Sequence, residues 1–178
     1  MIGHVGRIER QKNHEFLIKV FAKVKKQMPE SMLLLVGDGT LEASVRQSVR
    51  ESGVGKSVTF LGQKTDVTDL LQVMDIFLLP SRYEGLGIAL FEAQASGLKC
   101  YASDYVPKES SLGNTVYLPL KNAEAFWAGV IVKDAMKMTN DSVPIRNKAS
   151  QMAAKKMNEK DKTLKQQTLK LQSYYLVN

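Results

Sequence analysis

The chain has 178 residues, of which 44% are hydrophobic and 24% charged, with a formal net charge of +7 and a single cysteine. That balance is the one of an ordinary globular domain, and one cysteine excludes an internal disulfide framework. No apolar run approaches the roughly 20 residues that span a bilayer, and the N-terminal "MIGHVGRIERQ" lacks the basic-then-apolar layout of a secretory signal, so the sequence reads as cytosolic and soluble.

The elements alternate from the start. "IGHVG" reads as a strand, and "NHEFLIKVFAKVKKQM" as a helix with Phe16, Val20, Phe21 and Val24 on one face and Asn13 at its N-cap. "SMLLLVGDG" is a strand ending in a glycine turn, followed by "TLEASVRQSVRESG", a helix opened by Thr40 and closed by Gly53. "SVTFLG", "DIFLLPS" and "KCYASD" supply three more strands, separated by the short helix "DVTDLLQVM" and the helix "GIALFEAQASG". Cys100, inside the last of these strands, reads as a packed thiol. After Asp104 a turn-rich stretch leads to a short strand at Thr115 to Leu118, and two or three helices follow, roughly Ala123 to Met138, Ile145 to Met157 and Asp161 to Tyr174.

Strands that are apolar along their whole length, with helices between them, are stable only when both faces are covered. The fold class is therefore α/β, a doubly wound parallel sheet, with residues 120–178 a mainly helical C-terminal extension. Ligands of such sheets sit beyond the carboxyl ends of the strands, where turns and helix N-termini converge. Much of the basic excess falls in "KKMNEKDKTLKQQTLKLQ", where Lys155, Lys156, Lys160, Lys162, Lys165 and Lys170 spread around a helical pattern without interleaved aromatics. That is a solvated helix face and not a nucleic-acid surface; an anionic membrane surface stays open as a partner.

Three stretches carry candidate chemistry. In "SRYEGLG" two glycines, Gly85 and Gly87, precede a helix whose N-terminal amides suit a phosphate, although the same spacing also suits a plain tight connection. Glu84 lies before this helix and Glu92 about one turn inside it, where partial burial is expected; at about 1.5 Å rise per residue one extended ligand could reach both. A carboxylate accepts both hydroxyls of a diol, so one acid suits a ribose and the other a sugar; the alternatives are a surface loop acid and a first-turn acid. In "GRIERQKN", Arg7 and Lys12 are two cations able to neutralise a diphosphate, or two exposed loop cations. His4 and His14 have no third ligand at metal spacing, and no Ser-His-Asp set or phosphate-loop lysine motif is present.

Taken in order, "VGRIERQKN", "LLLVGDG", "TFLGQ", "DIFLLPSRYEGLGIALFEAQASG" and "ASD" resemble the C-terminal, donor-binding domain of the retaining GT-B glycosyltransferases of the glycosyl transferases group 1 family, over roughly residues 2 to 105. "YVPKE" and the "LPL" region resemble the variant of bacterial exopolysaccharide and capsule enzymes. The resemblance implies transfer of a hexose from a nucleotide-diphosphate sugar, preferably a UDP-sugar, to a growing polysaccharide or lipid-linked glycan. It implies that Arg7 and Lys12 bind the diphosphate and Glu84 faces the donor sugar. The amides of Gly85, Leu86, Gly87 and Ile88 would hold sugar and phosphate, Glu92 the ribose hydroxyls, and Gln63 would meet the base through its backbone. No metal or other cofactor is implied. It further implies an N-terminal acceptor domain that this sequence does not contain, hence a catalytically incomplete chain. The expected location is the cytoplasm, with contact at the inner face of the membrane left open by the basic C-terminal helices. The chain departs from the family pattern at Lys99 and Cys100, where Pro-Val is common, and at "YVPKE", where a glycine pair is common. A nucleotide-sugar epimerase of the same architecture and a non-catalytic nucleotide-binding module are the competing readings.

Overall fold

The computed structural model describes residues 1–137 and 146–159. The expected helix Asp161 to Tyr174, with Lys160, Lys162, Lys165 and Lys170, lies outside the described residues.

Six strands, β1 (Ile2–Val5), β2 (Leu33–Val36), β3 (Val58–Phe60), β4 (Ile76–Leu79), β5 (Lys99–Ser103) and β6 (Thr115–Leu118), form one sheet in the order β3-β2-β1-β4-β5-β6. Every neighbouring pair is parallel. The helices are α1 (His14–Gln27), α2 (Glu42–Glu51), α3 (Thr68–Gln72), α4 (Ile88–Ala95), α5 (Glu124–Ala135) and α6 (residues 146–159).

Alternation along the strands divides the core in two. Leu33, Leu35, Ile76, Leu78 and Tyr101 pack with Phe16, Val20, Phe21, Trp127 and Ile131 on the α1 and α5 side. Leu34, Val36, Phe77, Leu79, Cys100 and Ala102 pack with Leu71, Leu90 and Ala93 on the α3 and α4 side. The buried stripe of α1 and the buried Cys100 stand where periodicity puts them. The C-terminal extension begins inside the core: Trp127 of α5 is edge-on to Phe16 of α1, with ring centroids 5.4 Å apart. Lys155 and Lys156 on α6 are exposed, as a solvated face requires.

α6 is fastened by Arg146. Its guanidinium donates to the carbonyl oxygens of Leu71 (2.7 Å), Gln72 (3.0 Å), Met74 (2.9 Å) and Ser96 (2.9 Å), at and just beyond the C-terminal ends of α3 and α4. A cation there satisfies orphan carbonyls and meets the negative end of two helix dipoles.

The two loops that leave β1 and β2 lie against each other with no room for side chains. Gly6 donates to the Val36 carbonyl (2.9 Å) and Ile8 to that of Asp38 (2.6 Å). A Cβ on Gly37, whose φ is +129°, would sit 2.2 Å from the Gly6 oxygen, and one on Gly39 would sit 2.4 Å from that of Ile8. Gly37→Ala is therefore expected to lower stability by about 3 kcal/mol, because backbone must move to accept the methyl. Gly53 has φ +68° but open space around its Cβ position, so Gly53→Ala should cost only about 1 kcal/mol. Urea midpoints of the two variants test the contrast; equal losses would mean that conformation, not crowding, sets the cost.

Candidate functional site

Strand order reverses between β1 and β4, so the loops leaving their carboxyl ends flank an opening in the edge of the sheet. From β1 the chain runs through Gly6 to Asn13. Ile8 plugs the core, Arg10–Lys12 form a 3-10 turn, and Asn13 takes a left-handed conformation (φ 57°) to enter α1. Asn13 holds the expected N-cap position but makes no capping bond. Its Oδ1 instead accepts from Arg82 (3.1 Å) in the loop after β4. That second loop is laced to the first by Arg82 N–H to the Gln11 carbonyl (2.8 Å) and Gln11 Nε2 to the Tyr83 carbonyl (3.1 Å).

The lacing brings Lys12 and Glu84 together. Lys12 Nζ is 2.6 Å from Glu84 Oε1, with side chains 15% and 6% exposed. Ser81 Oγ donates to the same oxygen at 2.6 Å, while Oε2 has only a long contact of 3.5 Å from Gln11 Nε2. Glu84 is thus not a loose surface acid. It is an inward acceptor with one oxygen fully engaged and the other open to further donors.

α4 starts at Ile88 after Gly87, whose φ of 61° turns the chain into the helix without a side-chain cap. The amides of Gly85, Leu86, Gly87 and Ile88 have no acceptor among the described residues. These free N–H groups carry the partial positive charge of the helix terminus and can take an anion or a hydroxyl oxygen. The loop is held from behind: Ser110 Oγ donates to the Leu86 carbonyl (2.9 Å), and Gln94 bonds the Ser110 carbonyl (2.9 Å) and the Leu112 N–H (2.6 Å).

Glu92 corrects the expected partial burial: it is exposed, and its carboxylate has no partner among the described residues. α4 buries Leu90, Ala93 and Gln94, the i, i+3, i+4 stripe, and Glu92 falls outside it. Arg7 is 79% exposed, with Glu9 at 4.0 Å. It lines a cavity of about 480 Å³ at the ends of β1 to β3 together with Gly37, Asp38, Gln63 and Lys64. The structure thus groups Lys12 with Glu84, and Arg7 with Gln63; Gly6, beside the Lys12 stem, borders that cavity.

Thr40 corrects a second expectation. α2 begins at Glu42, and Thr40 donates its N–H (3.0 Å) and Oγ (2.9 Å) to the carboxylate of Glu9 instead of capping the helix. Those two hydrogen bonds hold the Glu9 carboxyl below its ordinary pKa. Ser81, Gln11 and Ser110 are contributors that motif reading missed. For Ser81 a signal existed, its position three residues before Glu84 in a turn.

Beneath Lys12 lie two buried histidines. His4 Nδ1 is 2.7 Å from the Leu78 carbonyl, and the His14 ring meets it edge-on at 4.6 Å. His4 Nε2 and both His14 nitrogens have no hydrogen-bond partner among the described residues. Burial lowers the His4 pKa to about 4 and that of His14 to about 2, so both rings are neutral at pH 7.

This open parallel sheet, with its loops gathered at the switch point, has the fold of a GT-B domain. The family model "Glycosyl transferases group 1" matches residues 1–133, and the chain belongs to that family. It is 38% identical over 137 residues to "Putative glycosyltransferase EpsF" of Bacillus subtilis, covering 76% of this chain and 36% of that protein. It is 32% identical over 103 residues to the UDP-Gal:alpha-D-GlcNAc-diphosphoundecaprenol alpha-1,3-galactosyltransferase of Escherichia coli, covering 56% and 27%. Among solved structures, Anabaena Alr3699/HepE in complex with UDP and glucose matches 97% of this chain and 47% of its own, with TM-score 0.76 and 22% identity. The chain thus spans about a third of the length of the curated relatives it matches.

Proposed function

We propose that this domain is the donor-binding half of a retaining glycosyltransferase that moves a hexose from a UDP-sugar to a growing polysaccharide or lipid-linked glycan. The observation that carries the reading is the Lys12–Glu84 pair set beside the unengaged amides of Gly85 to Ile88 at the switch point of the sheet. A diphosphate placed there meets an ammonium on one side and a helix N-terminus on the other, which together stabilise the charge that grows as the glycosidic bond breaks. Arg7 adds a second cation from the rim, so the electrostatic task falls to protein groups and no metal is assigned to it. Glu84 Oε2 receives a hydroxyl of the donor sugar; Glu92, exposed one turn along α4, takes the ribose diol, and the cavity holding Arg7 and Gln63 takes the base.

The Escherichia coli relative, a UDP-Gal-dependent transferase acting on a diphosphoundecaprenol-linked GlcNAc, and the UDP- and glucose-bound structure support a uridine donor, and the former supports a lipid-linked acceptor. The acceptor side is assigned to a separate N-terminal domain, which leaves this chain without transfer activity alone. A lipid-linked acceptor would place the work at the cytoplasmic face of a membrane; no helix among the described residues is long and apolar enough to cross one. Titration with UDP, UDP-hexoses and GDP, followed by amide NMR, tests the reading. Shifts are expected at Gly85 to Glu92 and around Gln63 with the uridine ligands. Their absence with every nucleotide would overturn it.

A further inference from the structure

His4 has a job that packing does not explain. A carbonyl only accepts, so the bond to Leu78 fixes the proton of the neutral ring on Nδ1 and leaves the lone pair on Nε2. That lone pair is fully buried and has no donor among the described residues, which in a protein interior is costly and needs a reason. Gly6 shows where it is aimed. A Cβ on Gly6 would sit 3.3 Å from His4 Nε2 and 3.1 Å from Lys12 Cε, so the imidazole nitrogen and the lysine stem border one small space that glycine keeps open.

Lys12 has three N–H donors, and Glu84 Oε1 engages one of them. We propose that His4 is a positioning residue: its Nε2 is the second acceptor for the Lys12 ammonium, taken up when Lys12 turns from Glu84 toward a bound diphosphate. The inference rests on the donor-site reading for its ligand but not for its geometry. Glu84 Oε1 holds the ammonium; when a sugar hydroxyl and a diphosphate compete for that carboxylate and that ammonium, His4 keeps the ammonium at the mouth of the site instead of letting it swing into solvent. The role requires an uncharged ring. His14, edge-on to His4, is itself neutral, and burial keeps His4 so at pH 7.

The test has a part that needs no ligand. In Glu84→Gln the freed Lys12 should turn to His4, and the 15N resonance of His4 Nε2 should move upfield as its lone pair gains a donor; in Glu84→Gln with Lys12→Met it should return. An Nε2 resonance indifferent to Lys12 overturns the inference. The second part compares two variants in UDP affinity. His4→Gln places an acceptor where Nε2 was and should bind UDP within about threefold of the parent, whereas His4→Asn keeps the Leu78 bond, loses the acceptor and should bind about tenfold more weakly. Equal losses in both, or the reverse order, would make His4 a structural residue only. If the parent binds no UDP, the donor-site reading fails while the Nε2 resonance still decides the role of His4.

Discussion

Glu84→Ala is expected to lower the unfolding free energy by about 3 kcal/mol, at the low end of what breaking a buried ion pair costs because Lys12 is 15% exposed. The loss is not the strength of one hydrogen bond. It is the penalty of leaving an ammonium in a largely dry place without a counter-charge, His4 Nε2 offering it only a neutral acceptor, with the Ser81 hydroxyl also deprived of its acceptor. Replacing both partners, Lys12→Met with Glu84→Leu, should recover most of it, since no charge is then stranded. The functional signs differ: Lys12→Met should weaken UDP binding by about tenfold or more through the lost charge-assisted contact, whereas Glu84→Ala should leave UDP binding intact, because the freed ammonium still faces the phosphates. Denaturant melts and calorimetric titration of the three variants read both effects. A double variant as unstable as Glu84→Ala would refute the stranded-charge account.

Sequence reasoning recovered the sheet because each strand is short, predominantly apolar and, β5 apart, followed within two residues by glycine or proline, and β6 fell on Thr115–Leu118 as expected. It also placed the start of α4 at Gly87 to Ile88, since glycines there announce the turn. It erred where side chains choose between local and distant partners. Thr40 is a good N-cap by type, but Glu9, 31 positions away, offers two carboxylate oxygens and wins the hydroxyl. Glu92 sits among apolar neighbours in the sequence, yet only the angle of α4 against the sheet decides which of them face inward, and that angle is set by tertiary packing. The Lys12–Glu84 pair joins residues 72 positions apart; both were named as site residues, but nothing local says that they touch. The buried imidazoles were legible only as an absence of metal spacing, and their meaning came from the fold.

Those imidazoles should make stability strongly dependent on pH. In the unfolded chain each titrates near 6.5, whereas in the fold burial holds His4 at about 4 and His14 at about 2. Below 6.5 the unfolded chain therefore binds protons that the native state refuses, so stability is complete above pH 6.5 and falls as pH drops through the window toward 4. Each refused proton costs about 1.4 kcal/mol per pH unit, roughly 3 for the pair once both unfolded rings are charged. The loss amounts to about 4 kcal/mol at pH 5 and about 6 at pH 4, a large part of the roughly 5–15 kcal/mol available to a domain. The expected result is a urea midpoint that is flat from pH 8 to 7 and drops steeply below 6, with a slope roughly halved in His14→Phe. In the native protein the ring C–H resonances of His4 and His14 should stay unshifted from pH 7.5 to 5.5. An imidazole that titrates near 6.5 while the protein is folded would mean that its ring is solvated, and the acid lability would then have to be sought in the carboxylates.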